Sequence, residues 1–393
     1  MVVHGPYPES RVSRESAAAL DMGFEVDIIA TRRKGEAPSE VLDGAMVTRL
    51  PVGHFQGAGL ARMLGEYFAF TALAAGVVAG RTISRRYDIV HVHAPPDFLI
   101  VSALIPRLFR SRVILDVHDR SPDMFSMRFP GRLGVLARAS LERLERLAAR
   151  CADVVVTVHD PYARELVALG IPAEKTVVVM NSLDERLVPV PKPPLQEPFR
   201  IVYHGTLTPH YGVDLLVEAA AQIIEQGLDA RVEIIGEGDS LPKLRARVAA
   251  LGLSDRVAID GRFLPHRSVL ERINGAAVGV VPNLPIPLNR FALSSKLFEY
   301  VVLGVPVVSA GLPTLQEYFS DDEVRFFEPG NADSLAAALL AVSQDPHAAS
   351  LRAERARRRY AGYRWDVNRQ RYVGILDRLS SGNASAPLPV PRP

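Results

Sequence analysis

The sequence predicts an α/β protein made of two doubly wound parallel sheets, each in a domain of its own. Three observations carry this expectation. Short apolar strands alternate with stretches of helical periodicity, which is the pattern of parallel α/β layers. The same order restarts after "VPVPKPPLQEP" at 188–198, where five prolines predict an extended linker. The 393 residues exceed one ordinary domain and suit two of roughly 150–200 residues each.

The elements follow in order. "VVH" at 2–4 reads as a short first strand, "PESRVSRESAAALDMG" as loop, helix and glycine stop, and "FEVDIIA" as the second strand. The longest uninterrupted apolar run, 68–80, has 13 residues, short of the roughly 20 that a bilayer-spanning helix needs, and reads as a core or interfacial helix. Arg81, Arg85 and Arg86 follow it, suiting either an anionic membrane surface or a solvated helix end. Strands are expected at "DIVHVH", "RVILDVH", "DVVVTV" and "TVVVM". Between them a helix over 133–150 sets Leu133, Leu136, Leu144 and Leu147 on one stripe. The second half repeats the grammar from "FRIVYHG" to "PVVSA". The expected organisation is a Rossmann-like domain at 1–187, the linker at 188–198, a second such domain at 199–360, a helix at 361–379, and a disordered low-complexity tail at 380–393. Two such sheets, facing one another, would bind ligands beyond the carboxyl ends of their strands, in a cleft between the domains.

Composition narrows the partners. A formal net charge of +2, from 46 basic and 44 acidic side chains, is too balanced for a general nucleic-acid binder. A single cysteine, Cys151, excludes an intramolecular disulfide and suits a reducing cytoplasm, and no signal peptide is expected ahead of Val2. Nothing in the sequence sets an oligomeric state.

The stretch "NRFALSSKLFEYVVLGVPVVSAG" at 289–311 holds the most chemistry. Ser294, Ser295 and Lys296 open a helix, whose start offers unpaired N–H groups and partial positive charge to an anion. Glu299 follows one turn on, suited to accepting sugar hydroxyls, although an N-capped helix with a carboxylate facing its dipole would give the same pattern. Helix start, acid and following strand point to a pocket for a phosphorylated sugar. Gly236 and Gly238 in "IIGEGDSL" sit between a strand and a helix, where backbone approaches a nucleotide or merely turns tightly. His4, His93 and His118 fall at strand ends, and His91 shares a face with His93. Asp116 and Asp119 flank His118, which suits a hydrogen-bonded group at a strand end as well as a catalytic one. "HVH" alone lacks a third metal ligand at recognisable spacing, so no metal is expected.

The segments "YHGTLTPHYGVDLLVEA", "IIGEGDSLPKLR", "GRFLPHRSVLERINGAAVGVVP", "SSKLFEYVVLGVPVVSAG" and "FFEPGNADSLAAAL", in this order, resemble glycosyltransferase family 4, as do "YDIVHVHAPPDFL" and "VILDVHD" in the first half. The resemblance covers about 370 residues and is similar in particular to the bacterial polysaccharide and secondary-metabolite branches. It implies the GT-B fold, a retaining transfer from a nucleoside-diphosphate sugar to an acceptor alcohol, no cofactor and no bound metal. A cytoplasmic location, with peripheral contact at the inner face of the membrane, is the matching expectation. Residue by residue, Glu299 takes the second position of the family's Glu-x7-Glu pair, while Phe291 stands at the first. The phosphate-binding loop corresponds to Gly205–Gly212 with Thr206 and Tyr211 where the family carries cations, and Lys296, Ser294 and Ser295 are the substitutes. His118, Asp119 and Lys296 are the implied catalytic residues; Gly205, Thr206, Gly236, Gly238, Ser294, Ser295, Lys296 and Glu299 bind the donor. Gly5, Ser10 and Arg11 form the loop facing donor phosphate or acceptor. The resemblance also implies that the helix at 361–379 crosses back to the first domain, with Trp365 as an anchor for the hinge. Two rivals are weighed: a hydrolysing nucleotide-sugar 2-epimerase, which shares the GT-B fold but would use a carboxylate pair of which Phe291 leaves only Glu299, and a non-catalytic nucleotide-sugar-binding partner protein, suggested by the losses at Phe291, Thr206 and Tyr211.

Overall fold

The computed structural model describes residues 1–53, 59–129, 131–194 and 197–381, apart from the side chains of Met127, Arg128, Leu133 and Leu136. The expected tail beyond 381 and the stripe positions Leu133 and Leu136 lie outside this description. The chain divides into two compact units, one of Met1–Asn181 with the chain from Asp366 onward, the other Ser182–Trp365. The division therefore falls at 181/182 and 365/366, ahead of the proline stretch at 188–198 and past the expected end at 360.

In the first unit the described residues form an eight-stranded sheet in the order β3-β4-β2-β1-β5-β6-β7-β8. Its strands are β1 (Val2–Pro6), β2 (Asp27–Thr31), β3 (Ser39–Leu42), β4 (Ala45–Leu50), β5 (Ile89–Ala94), β6 (Arg112–Val117), β7 (Val154–Thr157) and β8 (Thr176–Val178). All pairings are parallel except β3 with β4, a hairpin whose turn uses Asp43 at φ 49° and Gly44 at φ 87°. The left-handed pair in an Asp-Gly turn matches the twist of an antiparallel ribbon, a signal present in the sequence that the strand reading above passed over. The helices are α1 (Ser10–Asp21), α2 (Leu60–Arg85), α3 (Leu104–Leu108), α4 (Ser121–Arg128), α5 (Arg132–Cys151) and α6 (Asp160–Ala168). Glu9 caps α1, its carboxylate accepting the N–H groups of Arg11 and Val12. β5 and β6 are buried on both faces, as parallel strands covered by helices must be. Val92, Val113, Leu115 and Val155 from the strands meet Phe70, Ala74 and Val78 from α2 in one core, where burying Phe70 alone is worth about 1.5–3 kcal/mol.

α2 runs for 26 residues, twice the apolar run that announced it, because Arg62, Glu66 and Arg81 sit inside the helix. The stripe expected on α5 is corrected at Leu147, which is 55% exposed, while Ala148 and Ala149 face the core beside it.

The second unit holds a six-stranded parallel sheet in the order β11-β10-β9-β12-β13-β14 among the described residues. These are β9 (Phe199–His204), β10 (Ala230–Ile235), β11 (Val257–Asp260), β12 (Val278–Val281), β13 (Val307–Ala310) and β14 (Arg325–Phe327). Helices α7 (Val213–Glu225), α8 (Leu241–Ala250), α9 (His266–Ile273), α10 (Ser295–Val302), α11 (Pro313–Tyr318), α12 (Ala332–Gln344) and α13 (Pro346–Tyr360) surround it. Strand order reverses between β10-β9 and β12, a switch point that opens beyond the carboxyl ends of β9 and β12.

The last helix, α14 (Trp365–Ser380), belongs to the first unit from Asp366. Tyr372 lies fully buried with its hydroxyl 3.1 Å from His91 Nδ1, and the Asn368 side-chain carbonyl accepts the Met180 N–H at 2.8 Å. Trp365 is 9% exposed, and its N–H donates to Glu185 within the second unit.

Candidate functional site

In the second unit β9 ends on His204 and passes into the loop Gly205–Gly212. Gly205 has φ 122°, and a Cβ there would lie 2.1 Å from Lys296 Cε, so the Lys296 stem crosses this backbone at a distance only glycine permits. Lys296 enters from the first turn of α10. Its ammonium sits 4.1 Å from the centroid of the Tyr211 ring and 5.7 Å from that of Tyr203. The loop that has Tyr211 in place of a cation thus receives one from α10, held on the aromatic face. Burial pushes the Lys296 ammonium down to about 8, with Glu299 opposing the shift. Ser294 is the N-cap of α10, and no side-chain bond caps the helix, so the Ser294 hydroxyl is not spent on the first N–H groups.

One turn on, Glu299 is 6% exposed. His204 Nε2 stands 3.1 Å from its Oε2, without hydrogen-bond alignment, and His266 Nε2 stands 3.3 Å from Oε1. Burial alone would raise the Glu299 carboxyl; the imidazoles and Lys296 outweigh it and hold the group below the usual carboxylate range. His204 is driven down to about 4 by burial, so it is neutral at pH 7. Neither histidine was singled out from the sequence. "YHG" and "LPHRS" offered no spacing that joins them to Glu299, which requires β9, α9 and α10 to converge.

Gly236 and Gly238 have a packing reason of their own. A Cβ on Gly236, at φ 143°, would fall 2.0 Å from the Gly205 carbonyl oxygen, and one on Gly238, at φ 153°, 2.3 Å from that of Leu207. Two bonds lock these loops together, Gly205 N–H to Ile235 O at 2.9 Å and Leu207 N–H to Glu237 O at 2.8 Å. Both glycines therefore seat the 205–212 loop. Thr206 is exposed on that loop, and Tyr203 donates its hydroxyl to the Thr206 carbonyl. Phe291 is half-buried with the Arg290 guanidinium 4.9 Å over its ring. Asn283, just past β12 at the switch point, is 1% exposed with both side-chain amide atoms unpaired, a feature no sequence spacing announced.

In the first unit the structure brings together His91, His93, His118, Asp116, Glu15 and Arg11. His118, at the end of β6, is one quarter exposed, with Nε2 3.1 Å from Asp116 Oδ2 and 3.2 Å from His93 Nδ1. His93 is pushed down to about 4 by burial and is neutral. Asp119 is exposed beside this group. His4 is drawn away toward α2, 3.3 Å from Glu66 Oε1. Ser10 is exposed and donates to Glu9, and nothing lies within 4 Å of a Cβ on Gly5, so neither marks a tight backbone approach.

Arg11 is a correction. It was expected in a loop facing phosphate or acceptor, but it is 2% exposed and its donors are committed: Nε to Asp116 Oδ2 at 2.7 Å, Nη2 to Oδ1 at 2.9 Å and Nη1 to the Val179 carbonyl at 2.7 Å. From the first turn of α1 it reaches Asp116 on β6 and the Val179 carbonyl just past β8. The "HVH" argument is corrected in its premise as well. Glu15 and Asp116 supply the further ligand-type atoms, so that Glu15, His91, His93 and Asp116 lie within 4.8 Å of one another. The Arg11 guanidinium already occupies both Asp116 oxygens and reaches Glu15 at 3.3 Å, so these residues have their cation and do not fit a second. Glu15 is raised well above its ordinary value by burial, and Asp116 is held well below, with Arg11 outweighing the burial.

Two doubly wound α/β units closed by a returning helix define the GT-B class. The Anabaena protein Alr3699/HepE, solved in complex with UDP, aligns with 97% of this chain and 99% of its own at a TM-score of 0.69 and 17% identity. Residues 8–182 match the glycosyl transferase 4-like domain and residues 198–345 the glycosyl transferases group 1 domain. The chain belongs to the glycosyltransferase 4-type family that these paired domains define. Among relatives, the amylovoran biosynthesis glycosyltransferase AmsK of Erwinia amylovora is 28% identical over 195 residues, covering 49% of this chain and 48% of that protein. The 2-deoxystreptamine N-acetyl-D-glucosaminyltransferase of Streptomyces fradiae is 27% identical over 326 residues, 78% of this chain and 74% of the other. The chain spans about half the length of the first curated relatives it matches, AmsK among them.

Proposed function

We propose that the protein is a retaining glycosyltransferase that moves a sugar from a nucleoside-diphosphate sugar to an acceptor hydroxyl, without a bound metal and in the cytoplasm. The observation that carries the reading is Lys296, placed under the 205–212 loop on the Tyr211 face, one turn ahead of Glu299 at the switch point of the second unit. The Lys296 ammonium, the Ser294 and Ser295 hydroxyls and the first N–H groups of α10 neutralise the diphosphate. Gly205 and Thr206 present backbone to it, Gly236 and Gly238 hold that backbone in place, and Glu299, oriented by His204 and His266, accepts the ribose hydroxyls. In the reaction the bond from the sugar C1 to the β-phosphate oxygen breaks, and a new C1–O bond to the acceptor forms on the same face. The acceptor proton leaves with the departing phosphate. His118 and Asp119 are the residues assigned to the acceptor side of the first unit.

Support comes from the family membership, from HepE having been solved with UDP, and from relatives named as an amylovoran biosynthesis glycosyltransferase and a 2-deoxystreptamine N-acetyl-D-glucosaminyltransferase. Neither the epimerase nor the binding-partner reading gains support from these relatives. The test is thermal stabilisation by UDP, GDP, dTDP and ADP, with wild type and Glu299→Gln side by side. A ligand at about 100 times its Kd adds roughly 2.7 kcal/mol of apparent stability. One nucleotide should stabilise the wild type and lose most of that effect in Glu299→Gln. Absence of any shift in the wild type would sink the donor site.

A further inference from the structure

We infer that Asn283 holds a hydroxyl of the sugar to be transferred, a contact that Phe291 is unable to make. The inference rests on the donor reading above and deepens it. Four asparagines are buried among the described residues, and three of them have partners. Asn274 accepts the Lys192 N–H at 2.9 Å and donates to the Val190 carbonyl at 2.8 Å. Asn289 donates to the His210 and Leu284 carbonyls, both at 2.8 Å, and Asn368 accepts the Met180 N–H. Asn283 is 1% exposed, yet neither its carbonyl oxygen nor its NH2 has a hydrogen-bond partner among the described residues. Folded chains pair nearly all such groups, so an open amide at a switch point is a group kept for a ligand.

The backbone brings this amide to the start of α10. Gly279 on β12 faces that helix, since a Cβ there would meet the Tyr300 ring at 2.5 Å. Val281 and Asn283 follow in the same row at period two. α10 joins β12 to its parallel neighbour β13 and so runs back against them. Going from Gly279 to Asn283 therefore leads from Tyr300 toward Ser294, Ser295 and Lys296. The 282–284 segment is also fixed to the end of the 205–212 loop: a Cβ on Gly212 would meet the Pro282 carbonyl oxygen at 2.2 Å, and the Leu284 N–H donates to the His210 carbonyl at 3.1 Å. Between these two contacts stands Tyr211, whose ring holds the Lys296 ammonium. Low exposure does not set Asn283 apart, since Lys296 and Glu299 are themselves 7% and 6% exposed.

The chemistry of the group selects the ligand. Against a phosphate only the NH2 of an amide finds a partner, and its carbonyl oxygen is left facing an anion. A sugar hydroxyl both donates and accepts, so one hydroxyl or two adjacent ones satisfy carbonyl and NH2 together. From Pro282 to Leu288 every other side chain is apolar, so no neighbour in the segment competes for the amide. A site built to bond a hydroxyl discriminates strongly, because a ligand without it leaves the buried polar group unpaired.

The test is calorimetric titration of the full chain with whichever of UDP, GDP, dTDP and ADP it binds, and with the glucose, galactose and mannose conjugates of that nucleotide. Asn283→Leu keeps the size of the side chain and removes both polar atoms, which an unpaired buried amide tolerates without loss of melting temperature. This variant should bind the free nucleotide as wild type does and the best-bound conjugate about tenfold more weakly, the loss expected for a buried hydrogen bond. Asn283→Ser, which keeps one hydroxyl, should lose less. Equal losses for nucleotide and conjugate, or no loss for the conjugate, overturn the inference and leave the donor site standing. A lower melting temperature in both variants also overturns it, because the amide is then paired within the fold. Failure of wild type to bind any of the four nucleotides overturns the donor reading and this inference with it.

Discussion

Replacing Arg11 by methionine keeps an unbranched apolar stem and removes the guanidinium with its charge, which tests what the buried pair with Asp116 does. Both partners are essentially inaccessible, at 2% and 0% exposure, and the wild-type pair is bidentate at 2.7 and 2.9 Å. Removing one partner strands the Asp116 carboxylate away from water and deprives the Val179 carbonyl of a donor; the cost of such a break is about 3–5 kcal/mol. That is a large share of the roughly 5–15 kcal/mol that holds a domain folded. The pH dependence has a definite sign. Arg11 holds Asp116 well below its ordinary value, so its stabilisation is present above the unfolded carboxyl value near 3.9 and is lost as pH falls through the lower folded value. In Arg11→Met the stranded group relaxes by taking up a proton, so the deficit relative to wild type should be larger at pH 8 than at pH 5. Guanidinium unfolding followed by circular dichroism measures the loss, and hydrogen exchange of the β6 amides assigns it to the first unit. Arg11→Met with Asp116→Leu should recover most of it, since no charge is then left unpaired. A loss below about 1 kcal/mol at neutral pH, the range of solvated surface pairs, would refute the reasoning, as would a double variant no better than the single.

Lys296, pushed down to about 8, should keep its charge below that pH and lose it above, so nucleoside-diphosphate affinity should fall as pH rises through about 8. Lys296→Arg, which does not deprotonate in this range, should remove that limb from a calorimetric Kd–pH profile. Gly236→Ala should cost more than the ~1–3 kcal/mol of an unfavourable backbone region, because its Cβ meets the Gly205 carbonyl oxygen at 2.0 Å, and should weaken nucleotide binding as well. Gly170→Ala is the control, with φ 92° and nothing within 4 Å of its Cβ; thermal melting should show the smaller loss there and unchanged binding.

The regular elements were legible because they are set locally. Runs such as "VVVTV" and "FRIVYH" are too apolar and β-branched for anything but buried parallel strands, and the proline cluster lies close to the change of unit. The true length of α2 was hidden by counting only its unbroken apolar run, whereas a helix with one face in the core tolerates Glu66 and Arg81 on its turns. At the start of α10 the order Ser-Ser-Lys-x-x-Glu was visible, and the mate of Lys296 was not, because Tyr211 stands in the sequence as a lost cation and becomes in space the ring on which a cation rests. Arg11 and Asp116 lie 105 residues apart. No local spacing distinguishes an arginine that faces a ligand from one that closes a core.

The return of α14 makes the first unit discontinuous in the chain, and this bears on how the protein is made. A ribosome that has released residues 1–181 has not yet supplied Asn368 or Tyr372, so the Met180 amide lacks its acceptor and His91 is open to water. The second unit can complete itself while the first waits for the final helix. The first unit therefore gains its full set of hydrogen bonds only once α14 has been made.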